Sequence, residues 1–269
     1  YRRRPVSEGH IGAEIPFVSH AYRSGGILLK TAGLISGSFA VILDSLEPTA
    51  RMVINTDYWL GGEIRSVLYH PALEKAGLRN IALNLQPIFH ESTHLGDEFV
   101  IRALAESPGF YRVNVSYESW VLALTLNDPD TLKGTVLSAR IGVQDVWFRD
   151  DGFYQYKLTE TGGQELLPSE SLVEYWLQLN LRRDRGFLAS ARFHQVTSLE
   201  LRNRIKYGYF ADDPERRTWN LNAYLGWEYQ GGGDRKVGGY LRAYYGINPH
   251  GQFRNIDHFY FIGLSLVLM

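Results

Sequence analysis

Stretches of strict alternation between apolar and polar residues recur along the whole chain. In residues 219–229, one face would collect apolar and aromatic side chains and the other polar or small ones: Trp219, Leu221, Ala223, Leu225, Trp227 and Tyr229 against Asn220, Asn222, Tyr224, Gly226 and Glu228. Residues 53–66, 171–182 and 187–194 repeat the pattern. A period of two places successive side chains on opposite faces of a β-strand. The pattern therefore predicts an all-β fold built from amphipathic strands.

Ten candidate strands follow from this alternation and from the turn residues between them. They cover residues 26–43, 51–66, 78–92, 110–125, 136–149, 170–183, 186–208, 216–230, 236–247 and 254–269. A weaker candidate lies at 10–18, and residues 97–107 have the spacing of a short helix. Because single-chain bacterial barrels close with an even number of strands, we expect a transmembrane antiparallel up-and-down β-barrel of 10 or 12 strands. It would span residues 26–269, with 1–25 either periplasmic or the first strand.

The composition of the two faces predicts a membrane barrel rather than a soluble one. Trp and Tyr lie near the strand ends of the apolar faces, as an interfacial girdle requires. The polar faces carry charges of both signs, which suits a lumen plugged by ion pairs: Glu63, Arg65, Arg112, Glu118, Arg140, Glu174, Arg182, Arg192, Glu228 and Arg242. The alternating segment 258–269 is typical of the strand that ends bacterial outer-membrane barrels. We therefore expect a protein of the bacterial outer membrane, with the lipid bilayer and lipopolysaccharide as its surroundings.

Overall composition excludes several classes of function. The chain has 28 basic and 29 acidic residues and a formal net charge of -1, which leaves no electrostatic footprint for nucleic acid. It has no cysteine, which excludes disulfides, thiolate nucleophiles and cysteine-ligated metals. No apolar run approaches the roughly 18 residues of a transmembrane helix. The mean hydropathy of -0.21 is compatible with a barrel, since each strand shows lipid only every second residue.

The segment His-Glu-Ser-Thr-His-Leu-Gly-Asp-Glu, residues 90–98, concentrates the side chains suited to chemistry. On a strand, His90 and Ser92 share a face, so an imidazole could activate the hydroxyl as a nucleophile. Asp97 or Glu98 would orient the imidazole or bind a divalent cation. If the protein is an enzyme, the segment therefore predicts a lipid-ester hydrolase of the phospholipase or lipid A deacylase kind.

The alternation also sets a condition on this hypothesis. Counted from Asn84 and Gln86, the side chains of His90 and Ser92 fall on the polar, luminal face. A pair that cleaves lipid must face the bilayer instead. A β-bulge at Pro87 would reverse the parity and turn the pair outward. The direction in which the pair points therefore separates a catalytic role from an ordinary luminal network.

The function we expect first is an integral outer-membrane barrel of unassigned activity, with a plugged polar lumen and a structural or accessory role in the cell envelope, alone or as part of a larger complex. The hydrolase is the first alternative to it. The second is a small-solute channel. The third is a zinc hydrolase, because residues 90–94 match H-E-x-x-H, in which a helix sets two histidines on zinc and the glutamate beside the bound water. The candidate ligands of a metal would be His90, His94, Asp97 and Glu98.

The same nine residues resemble the hallmark of an uncharacterised bacterial outer-membrane family known as domain of unknown function 1207. Residues 55–61 resemble a strand of that family with the pattern Asp-Tyr-x-x-Gly, and residues 112–118 and 245–253 also fit. The resemblance implies a β-barrel fold and an outer-membrane location, and it implies no particular activity. The His-x-Ser strand is also distantly similar to outer-membrane phospholipase A, although the asparagine and calcium ligands of that enzyme have no clear counterpart here.

Overall fold

The computed structural model describes residues 6–45, 53–106, 116–129, 134–149, 156–158, 164–166, 173–184, 193–206, 217–230, 236–250 and 258–268. The strands are β1 (Val6–Ser24), β2 (Ile27–Asp44), β3 (Val53–Tyr69), β4 (Ile81–Leu95), β5 (Ser116–Leu126), β6 (Val136–Arg149), β7 (Tyr156–Leu158), β8 (Gln164–Leu166), β9 (Val173–Asp184), β10 (Phe193–Ile205), β11 (Arg217–Gln230), β12 (Lys236–Gly246) and β13 (Phe259–Leu268). The helices are α1 (Pro71–Lys75) and α2 (Asp97–Glu106).

Within these residues, eleven strands form one sheet in which the strands lie side by side in chain order, with β9 next to β6. All the pairings are antiparallel, while β7 and β8 form a separate hairpin between β6 and β9. The predicted all-β, up-and-down architecture is confirmed. All ten candidate strands correspond to strands of this sheet, and the weaker candidate at 10–18 belongs to the long strand β1. The eleven strands described lie between the two even numbers expected.

The sheet is strongly curved. Strands β1 and β13 are its two outermost strands and are not paired with each other in the described residues. Nevertheless, the carboxylate of Glu8 on β1 lies 4.0 Å from the guanidinium of Arg242 on β12. Asp57 on β3 lies 3.5 Å from His250, which follows β12. These strands are nine and seven steps apart in the strand order, or about 43 and 34 Å in a flat sheet. The sheet therefore curls around an interior, with an inner and an outer face.

Soluble proteins bury apolar side chains and expose polar ones, and the two faces of this sheet show the opposite distribution. The inner face holds buried polar groups: Asn55, Asp57, Glu63, Asn84, Glu91, Ser119, Gln144, Glu174 and Asn220. The outer face exposes large apolar groups, among them Ile15, Ile35, Leu60, Ile64, Leu83, Leu85, Ile141, Leu177, Leu179, Leu199, Leu221, Leu225, Leu241, Ile262 and Leu264. The alternation read from residues 53–66, 171–182 and 219–229 thus assigns side chains to the correct faces.

One hydrogen-bonded cluster on the inner face is centred on Glu63 of β3. Its carboxylate accepts hydrogen bonds from Asn84 Nδ2 at 2.5 Å and from Gln86 Nε2 at 3.2 Å. Arg65 Nε donates to the same carboxylate at 3.2 Å, and its guanidinium lies 3.9 Å from Glu14 on β1. Because a buried carboxylate is costly unless it is paired, this cluster holds β1, β3 and β4 together from inside.

A second cluster is centred on Arg202 of β10. The guanidinium lies 2.8 Å from the buried carboxylate of Glu174 on β9 and donates at 2.5 Å to Gln144 Oε1 on β6. Gln144 Nε2 in turn donates to Ser119 Oγ on β5 at 2.9 Å. The inner face is thereby cross-linked over four strands.

The longer connections gather at one end of the sheet because the strands alternate in direction. This end, called the loop end below, carries the links 96–115, 150–172 and 247–258, and it includes α2. The opposite end carries shorter links such as 25–26 and 231–235. In the described part of the chain, neither helix has the length and apolar character needed to cross a bilayer.

Candidate active site

Strand β4 changes the face that its side chains occupy part-way along its length. In its first half, Asn84 is buried and Leu85 is exposed, so even-numbered residues point inward. In its second half, Glu91 is buried on the inner face while Ile88 is 55% exposed, so odd-numbered residues point inward. The parity has therefore reversed between residues 85 and 91.

A β-bulge at Pro87 causes this reversal. The ladder between β4 and β5 passes from the pair Gln86 and Val121 directly to the pair Phe89 and Ser119. Two residues of β4 thus lie opposite one residue of β5, which is the arrangement that defines a bulge. Proline favours such a position because it has no N–H to contribute to the ladder. The bulge that the hydrolase hypothesis requires is present, and it places His90 and Ser92 on the outer face.

His90 forms a close pair with an acidic residue of the neighbouring strand. Its Nδ1 lies 3.1 Å from Oε1 of Glu118, and the two residues are direct partners in the ladder between β4 and β5. Their side chains are 37% and 27% exposed, so the pair is accessible from the outer face. When the imidazole is neutral, a carboxylate on Nδ1 selects the tautomer whose Nε2 is free to accept a proton.

Ser92 lies beside this pair, one row nearer the loop end. It is the ladder partner of Tyr58 on β3 and of Ser116 on β5. Residues two apart on a strand share a face at a spacing of about 6.6 Å, so the Ser92 hydroxyl and the His90 ring are neighbours. No hydrogen bond joins these two described side chains. Proton transfer requires an approach to about 2.6–3.2 Å, which substrate binding must bring about.

Aromatic side chains lie on one side of the site on the outer face. Tyr58 lies with its ring centroid 5.5 Å from that of Phe39 on β2 and 5.8 Å, edge-on, from that of His94. Tyr58 is 43% exposed. The site therefore lies in an aromatic band near the loop end, with the exposed aliphatic residues Leu60 and Ile88 on its other side.

The structure does not bring Asp97 to His90, because Asp97 begins α2 and is exposed. Glu98 follows it in the same helix, and its side chain lies outside the described part of the structure. Glu118 occupies the position next to the imidazole instead, although the sequence placed it among the luminal charges. That placement is wrong, because Tyr117 and Ser119 supply the inner face of β5. One signal in the sequence could have corrected it: Glu118 is four residues before Leu122 on the same strand, so the two side chains share the outer face.

The geometry needed for a zinc hydrolase is not formed. Residues 90–95 belong to a strand, whereas H-E-x-x-H requires a helix. His90 and His94 are therefore about 13 Å apart along β4. Glu91 points to the opposite face, where it accepts a hydrogen bond from Tyr117 Oη at 2.5 Å. The described residues contain no group of three or more His, Cys, Asp or Glu side chains that could hold a metal ion.

Comparison with known families adds one finding. Residues 9–133 match the model of a family described as protein of unknown function, DUF1207. Over these residues the chain is similar to that family. The match confirms the resemblance read from residues 90–98, and the DUF1207 region includes His90, Ser92 and Glu118. No curated protein and no solved structure gives a significant match. Because the DUF1207 description assigns no activity, any function must be argued from the site itself.

Proposed function

We propose that this protein is a closed β-barrel of the bacterial outer membrane that hydrolyses an ester bond in a membrane lipid. Ser92 would be the nucleophile, His90 the general base and Glu118 the residue that orients the imidazole. One observation carries the proposal: the 3.1 Å contact between His90 and Glu118 lies on the outer face, with Ser92 beside it.

The outer face supports the membrane part of the proposal. Exposed aliphatic and aromatic side chains extend over it from Ile11 on β1 to Leu266 on β13. A soluble protein rarely exposes a contiguous apolar patch of more than a few hundred Å². Lipid chains would cover this surface, and the curled sheet would close to satisfy its two outer strands, since hydrocarbon offers no hydrogen bonds.

The orientation of the barrel follows from its connections. Bacterial barrels have short periplasmic turns and longer extracellular loops, so the loop end would face the exterior. Tyr58 and Phe39 would then lie in the aromatic belt of the outer leaflet, whose main lipid is lipopolysaccharide. Ester bonds of lipids lie at the boundary between headgroups and acyl chains, at the same depth as this belt. Ser92 would therefore lie at the same depth in the bilayer as the ester bond.

The chemistry follows the general scheme for a serine nucleophile. His90 Nε2 removes the proton of the Ser92 hydroxyl as Oγ attacks the carbonyl carbon of the ester. Glu118 stabilises the imidazolium that forms. The tetrahedral intermediate collapses, the bond to the alcohol oxygen breaks, and the alcohol leaves with the proton from His90. Water, deprotonated by His90, then attacks the acyl-serine, which releases a fatty acid and restores Ser92.

The inner face favours a plugged lumen over the channel alternative. The clusters around Glu63 and Arg202 join side chains of seven strands by hydrogen bonds and ion pairs. A network of this kind leaves its charges neutralised by each other rather than by passing ions. We therefore expect no large, steady conductance when the purified protein is inserted into planar bilayers.

The decisive experiment measures fatty-acid release by the purified protein in mixed micelles of phospholipid or lipopolysaccharide, with and without Ca²⁺. Hydrolysis by the wild type and its loss in Ser92→Ala are the expected results. Ser116→Ala is the matched control, because Ser116 lies directly opposite Ser92 on the same face. It should retain activity.

Two outcomes would contradict the proposal. Full activity of Ser92→Ala removes that residue from the mechanism. No hydrolysis by a folded wild type on any of these lipids rejects the enzymatic role and favours an accessory role in an envelope complex. Gentle native extraction, which would then recover the protein together with partner chains, tests that role.

A further inference from the structure

One position on the outer face, close to the proposed active site, lacks a side chain. Gly62 lies on β3 in line with Leu60 and Ile64, which are 58% and 46% exposed. A methyl group added at Gly62 would have no heavy atom within 4 Å. Its ladder partners are Ile35 on β2 and Ile88 on β4, which are 49% and 55% exposed. The glycine is thus a gap framed by four exposed aliphatic side chains.

The gap lies on a straight path from the proposed nucleophile toward the middle of the bilayer. Along β3 and β4, the ladder pairs run from Ser92 with Tyr58, through His90 with Leu60, to Ile88 with Gly62. Ser92 and Ile88 are four residues apart, which is about 13 Å along an extended strand. An acyl chain whose carbonyl carbon meets Ser92 would pass beside Leu60 and reach Gly62 with its middle methylene groups.

We propose that Gly62 is the floor of a groove that holds the acyl chain of the lipid substrate and sets the preference for its length. The inference rests on the proposed hydrolase function, since continuity with Ser92 identifies the occupant as the substrate's acyl chain. A chain too short to reach Gly62 gains nothing from the groove. A long acyl chain fills the space over Gly62 and packs there against Leu60, Ile64 and Ile88.

The substitution Gly62→Leu tests the groove by filling it. Gly62 is outside the set of glycines with positive φ, so leucine is compatible with its backbone. Gly239→Leu is the matched control: Gly239 also has open space at its Cβ position, and its ladder partners are the exposed Trp227 and Leu266, remote from Ser92. We expect Gly62→Leu to lower kcat/KM for long-chain esters by roughly ten-fold or more. Short-chain esters should be hydrolysed at the wild-type rate. Equal effects on both chain lengths, or an effect as large in the control, would overturn the groove.

A second measurement keeps the groove testable independently of catalysis. A phospholipid with a photoreactive group at the middle of its acyl chain should label Leu60 and Ile88 of the wild type more strongly than Leu241 and Leu266. Gly62→Leu should abolish this excess. Uniform labelling overturns the groove whether or not the protein is active. An excess of labelling in a protein that hydrolyses no lipid would instead contradict the proposed function and retain the groove as a lipid-binding site.

Discussion

The outer faces of β3–β5 and of β10–β12 differ at the loop end, although both are built from the same antiparallel pleat. In β10–β12 the exposed residues are mainly apolar or aromatic, namely Leu199, Leu201, Trp219, Leu221, Leu225, Trp227, Leu241 and Tyr245, and the polar exceptions Thr197 and Arg217 form no acid–base pair with each other. In β3–β5 the same kind of surface is interrupted by His90, Ser92 and Glu118. Polar groups that face lipid are costly, so a histidine, a serine and a carboxylate gathered on one side of the sheet suggest a role other than folding. In the proposed function, this contrast separates the residues that build the sheet from those that would act on the lipid.

Deletion of Pro87 should have the largest effect on this contrast. Without the extra residue, residues 88–95 would change faces, so that Glu91 and Thr93 would point to the outer face and His90 inward. Activity, measured by fatty-acid release, should fall below detection. The yield of folded protein, measured by the difference in gel mobility between heated and unheated samples, should drop. Pro87→Ala keeps the residue count and should keep both. A fully active deletion variant would show that the bulge is not what orients the site.

Removal of the nucleophile should affect catalysis without affecting the sheet. Ser92→Ala is expected to lower kcat by roughly a thousand-fold or more, as is usual when a serine nucleophile is lost. The melting temperature should stay within a few degrees of the wild type, because the substitution keeps the backbone ladder of Ser92 and its hydroxyl forms no hydrogen bond among the described residues. A large loss of stability in this variant would point to a structural role for the hydroxyl.

The acidic partner should matter less than the nucleophile. Glu118→Gln retains the shape of the side chain and can still bond to His90, but it no longer stabilises the imidazolium, so a decrease of roughly a hundred-fold in kcat is expected. KM should change little, since Glu118 does not hold the lipid. Asp97→Asn is the comparison that tests the alternative partner named from the sequence, and it should leave kcat unchanged. The reverse ranking of these two variants would restore Asp97 to the mechanism.

The inner clusters should respond in stability and not in catalysis. Glu63→Ala leaves the hydrogen-bond donors of Arg65, Asn84 and Gln86 without their shared acceptor, which costs about 1–3 kcal/mol for a buried group. Unfolding in urea with lipid vesicles present measures this loss. Leu201→Ala on the outer face of β10 would remove mainly contacts with the proposed lipid surroundings and should cost about 1 kcal/mol or less. If Leu201→Ala were the more costly of the two, the assignment of inner and outer faces would be wrong.

The sequence predicted the sheet well because alternation is set locally by each strand. The faces of Trp219 and Asn220 follow from the alternation within β11 alone, without knowledge of any other strand. The same holds for Glu174 and Tyr175 on β9. Strand β1 is predicted only weakly, over residues 10–18; the structure extends it to Val6–Ser24 and accommodates Pro16 at a register shift in an outermost strand. Helix α2 was predicted from its spacing and is confirmed.

The site was harder to predict because it depends on register between strands. Parity counted along β4 placed His90 on the inner face, and only the ladder to β5 shows where the extra residue is inserted. The pairing of His90 with Glu118 joins residues 28 positions apart, which no local spacing encodes. Asp97 is closer to His90 in sequence than Glu118 is, but it lies beyond the end of β4, at the start of α2.

The bulge at Pro87 also bears on how such a protein can change over generations. An insertion of one residue moves the side chains that follow it, up to Leu95, to the opposite face of β4. The ladder before the insertion keeps its register. A barrel could thus convert an inward-facing set of histidine and serine side chains into a lipid-facing one by gaining a single codon. Relatives in which this codon is missing would carry the same residue types on the opposite face. An inventory of residue types would then group proteins whose surfaces present quite different chemistry to the membrane.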